Sequence, residues 1–228
     1  MASWVWGVSG KHPVVKDYIR LGRQTLLMEV FSHWVEEGYH QLGDNPYANS
    51  WRFLAKGMRP DELACGILRD SSDRTGRPFP LLIMGCGVLK GWSRSWETLP
   101  RAFEVIWERL ESLCAKRLYD LEELKGALIG LPSPVLPEQE IAQAASPGGP
   151  QLPRMEDGVL VVPLEGEGDH ATKIVHLLGL MAEHTRSVPD AIFMGGPPER
   201  AFLAVFCRSL NAEDFMRLWT MEKIVVSG

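Results

Sequence analysis

Apolar residues recur at helical spacing in several stretches of this chain. From Gln24 onward Leu27, Val30, Phe31, Trp34, Val35 and Gly38 form one stripe, and Gly43 stands where a helix stop belongs. A second stripe runs between Pro100 and Arg117 through Phe103, Ile106, Trp107, Leu110, Leu113 and Cys114, with Glu104, Glu108, Arg109 and Lys116 on the opposite side. Asp120 followed by Glu123 has the form of a capping box and predicts a short helix ending near Gly130. Asp169 opens a further helix with Ile174, Leu177, Leu178 and Met181 inward, and Asn211 with Asp214 caps a last one through Phe215, Leu218 and Trp219. Between the helices, residues 3–9, 51–57, 64–69, 158–164, 191–195 and 201–210 read as strands, and 14–19 as extended. Residues 79–89, FPLLIMGCGVL, are nearly all apolar, as in a buried central strand. Three successive strands with short links predict an antiparallel meander. With helices clustered on either side, the pattern is a layered α+β sandwich with a largely antiparallel central sheet and helices on both faces, not a regular βαβ winding.

Residues 131–154 hold six prolines and a Gly-Gly pair, so they carry neither a long helix nor a laddered strand. They divide an N-terminal part, 1–130, from a C-terminal part, 155–228. The latter has three strands and two helices, too few to cover its own apolar surface, and is expected to share the core of the former.

At 228 residues the chain can bury a substantial core. A net charge of −5 without a basic block argues against a general affinity for nucleic acid. No apolar run approaches the roughly 20 residues of a membrane-spanning helix, and the N-terminus lacks the features of a signal peptide, so a soluble, cytoplasmic protein is expected. Cys65, Cys86, Cys114 and Cys207 are widely spaced among apolar residues, as buried thiols are. Cys65 and Cys86 become cross-strand neighbours if their two runs pair.

The most chemically loaded stretch is Cys65 to Met84, where two apolar runs flank a polar turn holding Asp70, Ser71, Ser72, Asp73, Arg74, Gly76 and Arg77. Two readings stand: an internally satisfied turn in which the arginines pair with the acids, or a functional surface on a loop set by rigid strands. The arginines hold neighbouring acids ionised, the opposite of what a general acid needs. Gly7-Val-Ser-Gly10-Lys11 fails as a phosphate loop, because only two residues separate the glycine from Gly-Lys and His12 replaces the Ser or Thr that would reach magnesium. Ser72 lacks a GxSxG elbow. His33 with His40 and His176 with His184 have no metal-ligand spacing and read as solvated helix-face residues. The sequence therefore offers no catalytic constellation, metal set or cofactor motif. Trp34, Trp107 and Trp219 lie on inward stripes, whereas Trp51, Trp92 and Trp96 are candidates for an interface.

An ordered set of motifs resembles the TagF family, also called ImpM, of bacterial type VI secretion. It comprises the opening Gly7, Gly10, Lys11 and Pro13; Lys16-Asp17-Tyr18 where the family has Gly-Asp-Phe; Trp34 and Gly38; and Trp51-Arg52-Phe53. The block Ser71, Asp73, Arg74, Gly76, Arg77, Phe79, Pro80 and Leu81 is its most specific member. The resemblance covers residues 4–90 well and the rest in outline, and Lys16 in place of glycine questions the geometry of that turn. It implies a three-layer α/β/α fold and a non-enzymatic cytoplasmic regulator, without a cofactor, that restrains assembly or firing of the apparatus by binding a forkhead-associated scaffold protein. On that reading Asp73, Arg74 and Arg77 shape a contact surface or lock the hairpin. The competing reading is an enzyme or small-ligand binder in which Lys11, Asp73 and Arg77 converge on an anion such as phosphate.

Overall fold

In a computed structural model the described residues are 4–43, 48–136, 154–165, 169–185 and 187–221. The chain order is β1 (Val5–Gly10), β2 (Ile19–Gly22), α1 (Leu26–Leu42), β3 (Ser50–Lys56), β4 (Glu62–Arg69), β5 (Leu81–Val88), α2 (Leu99–Ala115), α3 (Leu121–Ile129), β6 (Val159–Pro163), α4 (His170–His184), β7 (Ala191–Gly196), β8 (Phe202–Phe206) and α5 (Ala212–Trp219). Two 3-10 turns, Trp92–Arg94 and Trp96–Thr98, lead into α2. All eight strands join one sheet in the order β2-β1-β5-β4-β3-β7-β8-β6, and every pairing is antiparallel.

Alternation along the strands divides the core in two. Trp51, Phe53 and Ala55 of β3, with Phe193 and Phe206, face α1 and α5, where they meet Phe31, Trp34, Phe215 and Trp219. Leu54, Cys65, Ile67 and Ile83 face the other way, against Phe103, Trp107 and Leu110 of α2, Leu124 and Leu128 of α3, and Leu178 and Met181 of α4. The layers are thus α1/α5, sheet, α2/α3/α4, the α+β sandwich expected from the pattern. The C-terminal strands are not a separate sheet, since β7 pairs with β3 from Ala55↔Ala191 to Ser50↔Gly196. Part of the proline-rich segment, 137–153, lies outside the described residues.

Caps hold the helix starts. Thr25 accepts from the Met28 amide, Asp169 from Ala171 and Thr172, and Asn211 with Asp214 closes a full capping box. At α3 the expected box is only half formed: Asp120 accepts from the Glu123 amide at 2.9 Å, but Glu123 reaches back to Tyr119, one residue earlier.

Several local expectations are corrected. Residues 14–17 are a turn and not extended; the Val14 and Val15 N–H groups fold back onto His12, the Val15 and Lys16 carbonyls accept from the β4–β5 connection, and β2 starts only at Ile19. The last strand stops at Phe206 because Arg208 turns to grip Asp214 with two bonds of 2.6 and 2.8 Å. Trp51, Trp92 and Trp96 are all buried and form no surface. Cys65 and Cys86 lie on paired strands, but Cys86 is opposite Ala64 and Cys65 opposite Gly85. A one-residue offset sends the two thiols to opposite faces of the sheet.

Candidate functional site

β1 ends, and β5 begins, at the same end of the sheet, because Gly10 pairs with Leu81. The loop after β1 and the β4–β5 connection therefore meet there. Gly10 is required for that approach: its φ is +119°, and a Cβ would stand 2.0 Å from the Pro80 carbonyl oxygen. Pro80 and Phe79 are buried, and Phe79 packs edge-on against Tyr18 and Tyr39 at 5.4 and 4.9 Å between ring centroids.

Within the connection, Phe79 N–H donates to the Ser71 carbonyl and Ser72 bridges Pro78, so the strands continue as a short ribbon. Asp73 N–H donates to Arg77 and Gly76 N–H to Asp73, closing a turn whose left-handed position is Gly76, φ +83°. The Asp73 carboxylate fills the turn. Its Oδ1 accepts from Thr75 N–H at 2.9 Å, Thr75 O–H at 2.6 Å and Arg77 N–H at 3.1 Å. Its Oδ2 accepts from Arg77 Nε at 2.7 Å and lies 3.4 Å from Lys11 Nζ. Burial alone pushes this carboxyl upward, but the Thr75 hydroxyl, the Arg77 and Thr75 amides and the Arg77 guanidinium outweigh it and hold it far below the usual aspartate range. Asp73 is thus a buried, ionised keystone.

The same groups tie the turn to the first loop. Arg74 N–H donates to Val15 at 2.6 Å, Lys11 Nζ lies 3.4 Å from the Arg77 carbonyl, and Arg77 Nη2 donates to the Lys16 carbonyl. Arg77 Nη2 also lies 3.3 Å from Asp17 Oδ1. Lys16 keeps an ordinary backbone: the non-glycine residues with positive φ among those described are Asp61 and Asp157. Lysine therefore fits where the family carries glycine. Pro13 is exposed at the loop tip, and Ser71 is half-buried beneath the ribbon.

Of the residues singled out in sequence, Lys11, Asp17, Asp73 and Arg77 come together in one ion-pair chain. Arg74 joins through its backbone while its side chain is exposed. Asp70 is not part of the chain; its amide instead bonds the Asn49 carbonyl. The Lys11–Asp73–Arg77 set is bonded to itself. Two surface hollows lie at the opposite end of the sheet, the larger about 630 Å³ and lined by residues such as Lys56, Arg59, Asp61 and Trp92. Among the described residues no group of His, Cys, Asp and Glu is placed to hold a metal ion, and no helix is long and apolar enough to cross a membrane.

Sequence reasoning missed two participants. His12 is buried, its Nδ1 accepts from Val14 N–H at 3.3 Å, and burial lowers its pKa. Thr75, an ordinary turn residue by composition, supplies two of the bonds to Asp73; its signal is the Asp-x-Thr spacing of a side-chain-closed turn. At the other end of the sheet Glu62 repeats the device, accepting from Met58 and Arg59 amides and from the Arg59 guanidinium.

A family model described as the TagF N-terminal domain, type VI secretion system-associated, matches residues 7–129. No curated protein matches this chain. The crystal structure of PA0076 from Pseudomonas aeruginosa PAO1 is similar over 95% of this chain and 94% of that one, at 20% identity and a TM-score of 0.58, a likeness of fold.

Proposed function

The chain belongs to the type VI secretion-associated TagF family, and from that premise we propose that it is a non-enzymatic regulator. It restrains assembly or firing of the secretion apparatus after translation by binding a forkhead-associated scaffold protein. The observation that carries this reading is the state of the Ser71–Leu81 block. Its buried acid is ionised and both oxygens are bonded, and that acid holds Arg77 of the block and Lys11 of the first loop. Turnover needs an acid, base or nucleophile open to a substrate. Here the polar groups hold two loops in a fixed relation and leave an outward polar surface, which suits docking.

Calorimetric titration of the purified chain with the forkhead-associated protein of the same bacterium, at physiological salt and without added phosphorylation, tests it. Binding near micromolar or tighter is expected. No detectable heat at several temperatures removes direct sequestration as the mechanism.

A further inference from the structure

Four basic residues belong to the junction of the first loop with the β4–β5 connection, Lys11 and Arg77 through their side chains and Lys16 and Arg74 through their backbones, in a chain whose net charge is −5. Two carboxylates stand against them, and they differ. Asp73 is buried and fully engaged. Asp17 has a side chain 88% exposed, and its contact is a single ion pair of 3.3 Å to Arg77 Nη2. The Arg77 side chain keeps 58% exposure although Asp73 grips its Nε and the Lys16 carbonyl its Nη2. Arg74 is exposed and has no ion pair or side-chain hydrogen bond among the described residues, and Lys16 is exposed beside it.

We propose that this corner is a docking surface that reads carboxylates: the outer edge of the Arg77 fork, flanked by Arg74 and Lys16, receives an Asp or Glu side chain from an acidic segment of a partner protein. Asp17 holds that position in the free chain. The proposal rests on the reading of this protein as a partner-binding regulator and names the surface and the chemistry recognised. Three physical points carry it. A guanidinium fork matches a carboxylate with two parallel hydrogen bonds, which an ammonium cannot do. Arg77 is already fixed on its inner side, so little side-chain freedom remains to be lost on binding. A long, exposed ion pair such as Asp17–Arg77 is barely favoured over its hydrated state and yields readily to a better-placed acid.

The test titrates the isotope-labelled chain with hexaglutamate by heteronuclear NMR and, separately, with the forkhead-associated protein by calorimetry. The variants are wild type, the Lys16→Glu/Arg74→Glu pair, Asp17→Asn, and Glu108→Gln, an exposed acid of α2 used as the charge control. Hexaglutamate should shift amides of residues 11–12, 14–18 and 72–77. The double reversal should weaken it by about tenfold or more, and Asp17→Asn should tighten it by roughly twofold to fivefold. Glu108→Gln should stay close to wild type. Absence of shifts at the corner, equal shifts around Lys56 and Arg59, or equal effects of Asp17→Asn and Glu108→Gln overturns the assignment. If the scaffold protein binds wild type and the double reversal alike, the corner is not its dock, although the regulator reading stands. If the scaffold protein does not bind while hexaglutamate behaves as expected, that partner falls and the corner remains.

Discussion

Gly38 lies on the buried face of α1, where a side chain would enter α5. A Cβ there would stand 2.4 Å from Phe215 Cβ, 2.5 Å from its Cγ and 2.7 Å from its Cδ1. Carbon atoms at optimal separation are about 3.5–4.0 Å apart, so something must yield by roughly 1 Å. Phe215 has little freedom to do so, being fully buried, stacked on Trp219 at 4.5 Å and set edge-on to Trp34 at 5.5 Å. Overpacking of this kind costs about 1–3 kcal/mol, whereas alanine gains about 1 kcal/mol over glycine in a helix interior. Gly38→Ala is therefore expected to destabilise by up to about 2 kcal/mol net. Urea unfolding followed by tryptophan fluorescence and far-ultraviolet circular dichroism reads the change. The decisive measurement adds Phe215→Ala. With the ring gone the contacts to Cγ and Cδ1 disappear and only the contact to the residue 215 Cβ remains, which α5 can relieve by shifting into the vacated space, so Gly38→Ala should cost clearly less in that background. A stabilised single variant, or the same loss in both backgrounds, would refute the packing argument.

Three further expectations follow from particular contacts. Asp73→Asn should lower stability at neutral pH and flatten its acid dependence: the depressed carboxyl contributes fully above its ordinary value of 3.8 and loses that contribution as pH falls below it. An unchanged acid limb would contradict the keystone role. Arg52 binds Glu111 through two bonds of 2.6 and 2.8 Å and Glu104 through one of 2.8 Å, joining β3 to α2. After discounting for partial exposure, Arg52→Ala should cost about 1–2 kcal/mol, with Arg52→Lys recovering only part; identical urea midpoints for all three proteins would dismiss the network. Burial raises all four thiols, Cys65 furthest, and Cys114 and Cys207 are only half-buried. Native-state labelling near pH 8 should modify Cys114 and Cys207 before Cys65, and equal rates would mean that the sheet opens locally.

The helices were legible because each carries its own evidence: a 3.6-residue stripe, and a cap such as Asn211 with Asp214. The strands were legible as segments, but not their order, since nothing within Ser50–Lys56 names Ala191–Gly196 as its neighbour. Residues 14–17 misled for a related reason. Val14 and Val15 favour extended backbone, but their N–H groups turn back onto His12, and the Val15 and Lys16 carbonyls find their partners some sixty residues away, on Arg74 and Arg77. In the candidate site, the pairing of Asp73 with Arg77 followed from composition and spacing. That Arg74 faces outward while Arg77 reaches inward did not, because both sit in one turn and only its closure by Asp73 separates them. Trp51, Trp92 and Trp96 lacked a helical stripe to place them, and it is the sheet and the turns before α2 that enclose them.

The position of β3 has a consequence for the nascent chain. When the family-matched stretch to residue 129 has left the ribosome, β3 is the edge of an unfinished five-stranded sheet, with Trp51 and Phe53 lacking the cover of Phe193 and Phe215. Its partner β7 is translated about sixty residues later, several seconds at roughly 5–20 residues per second. For that interval an apolar, pairing-ready edge stands open, the kind of template on which chains aggregate. A premature stop codon after residue 129 would make that interval permanent, so truncations should be recovered as insoluble protein even though they retain every family motif.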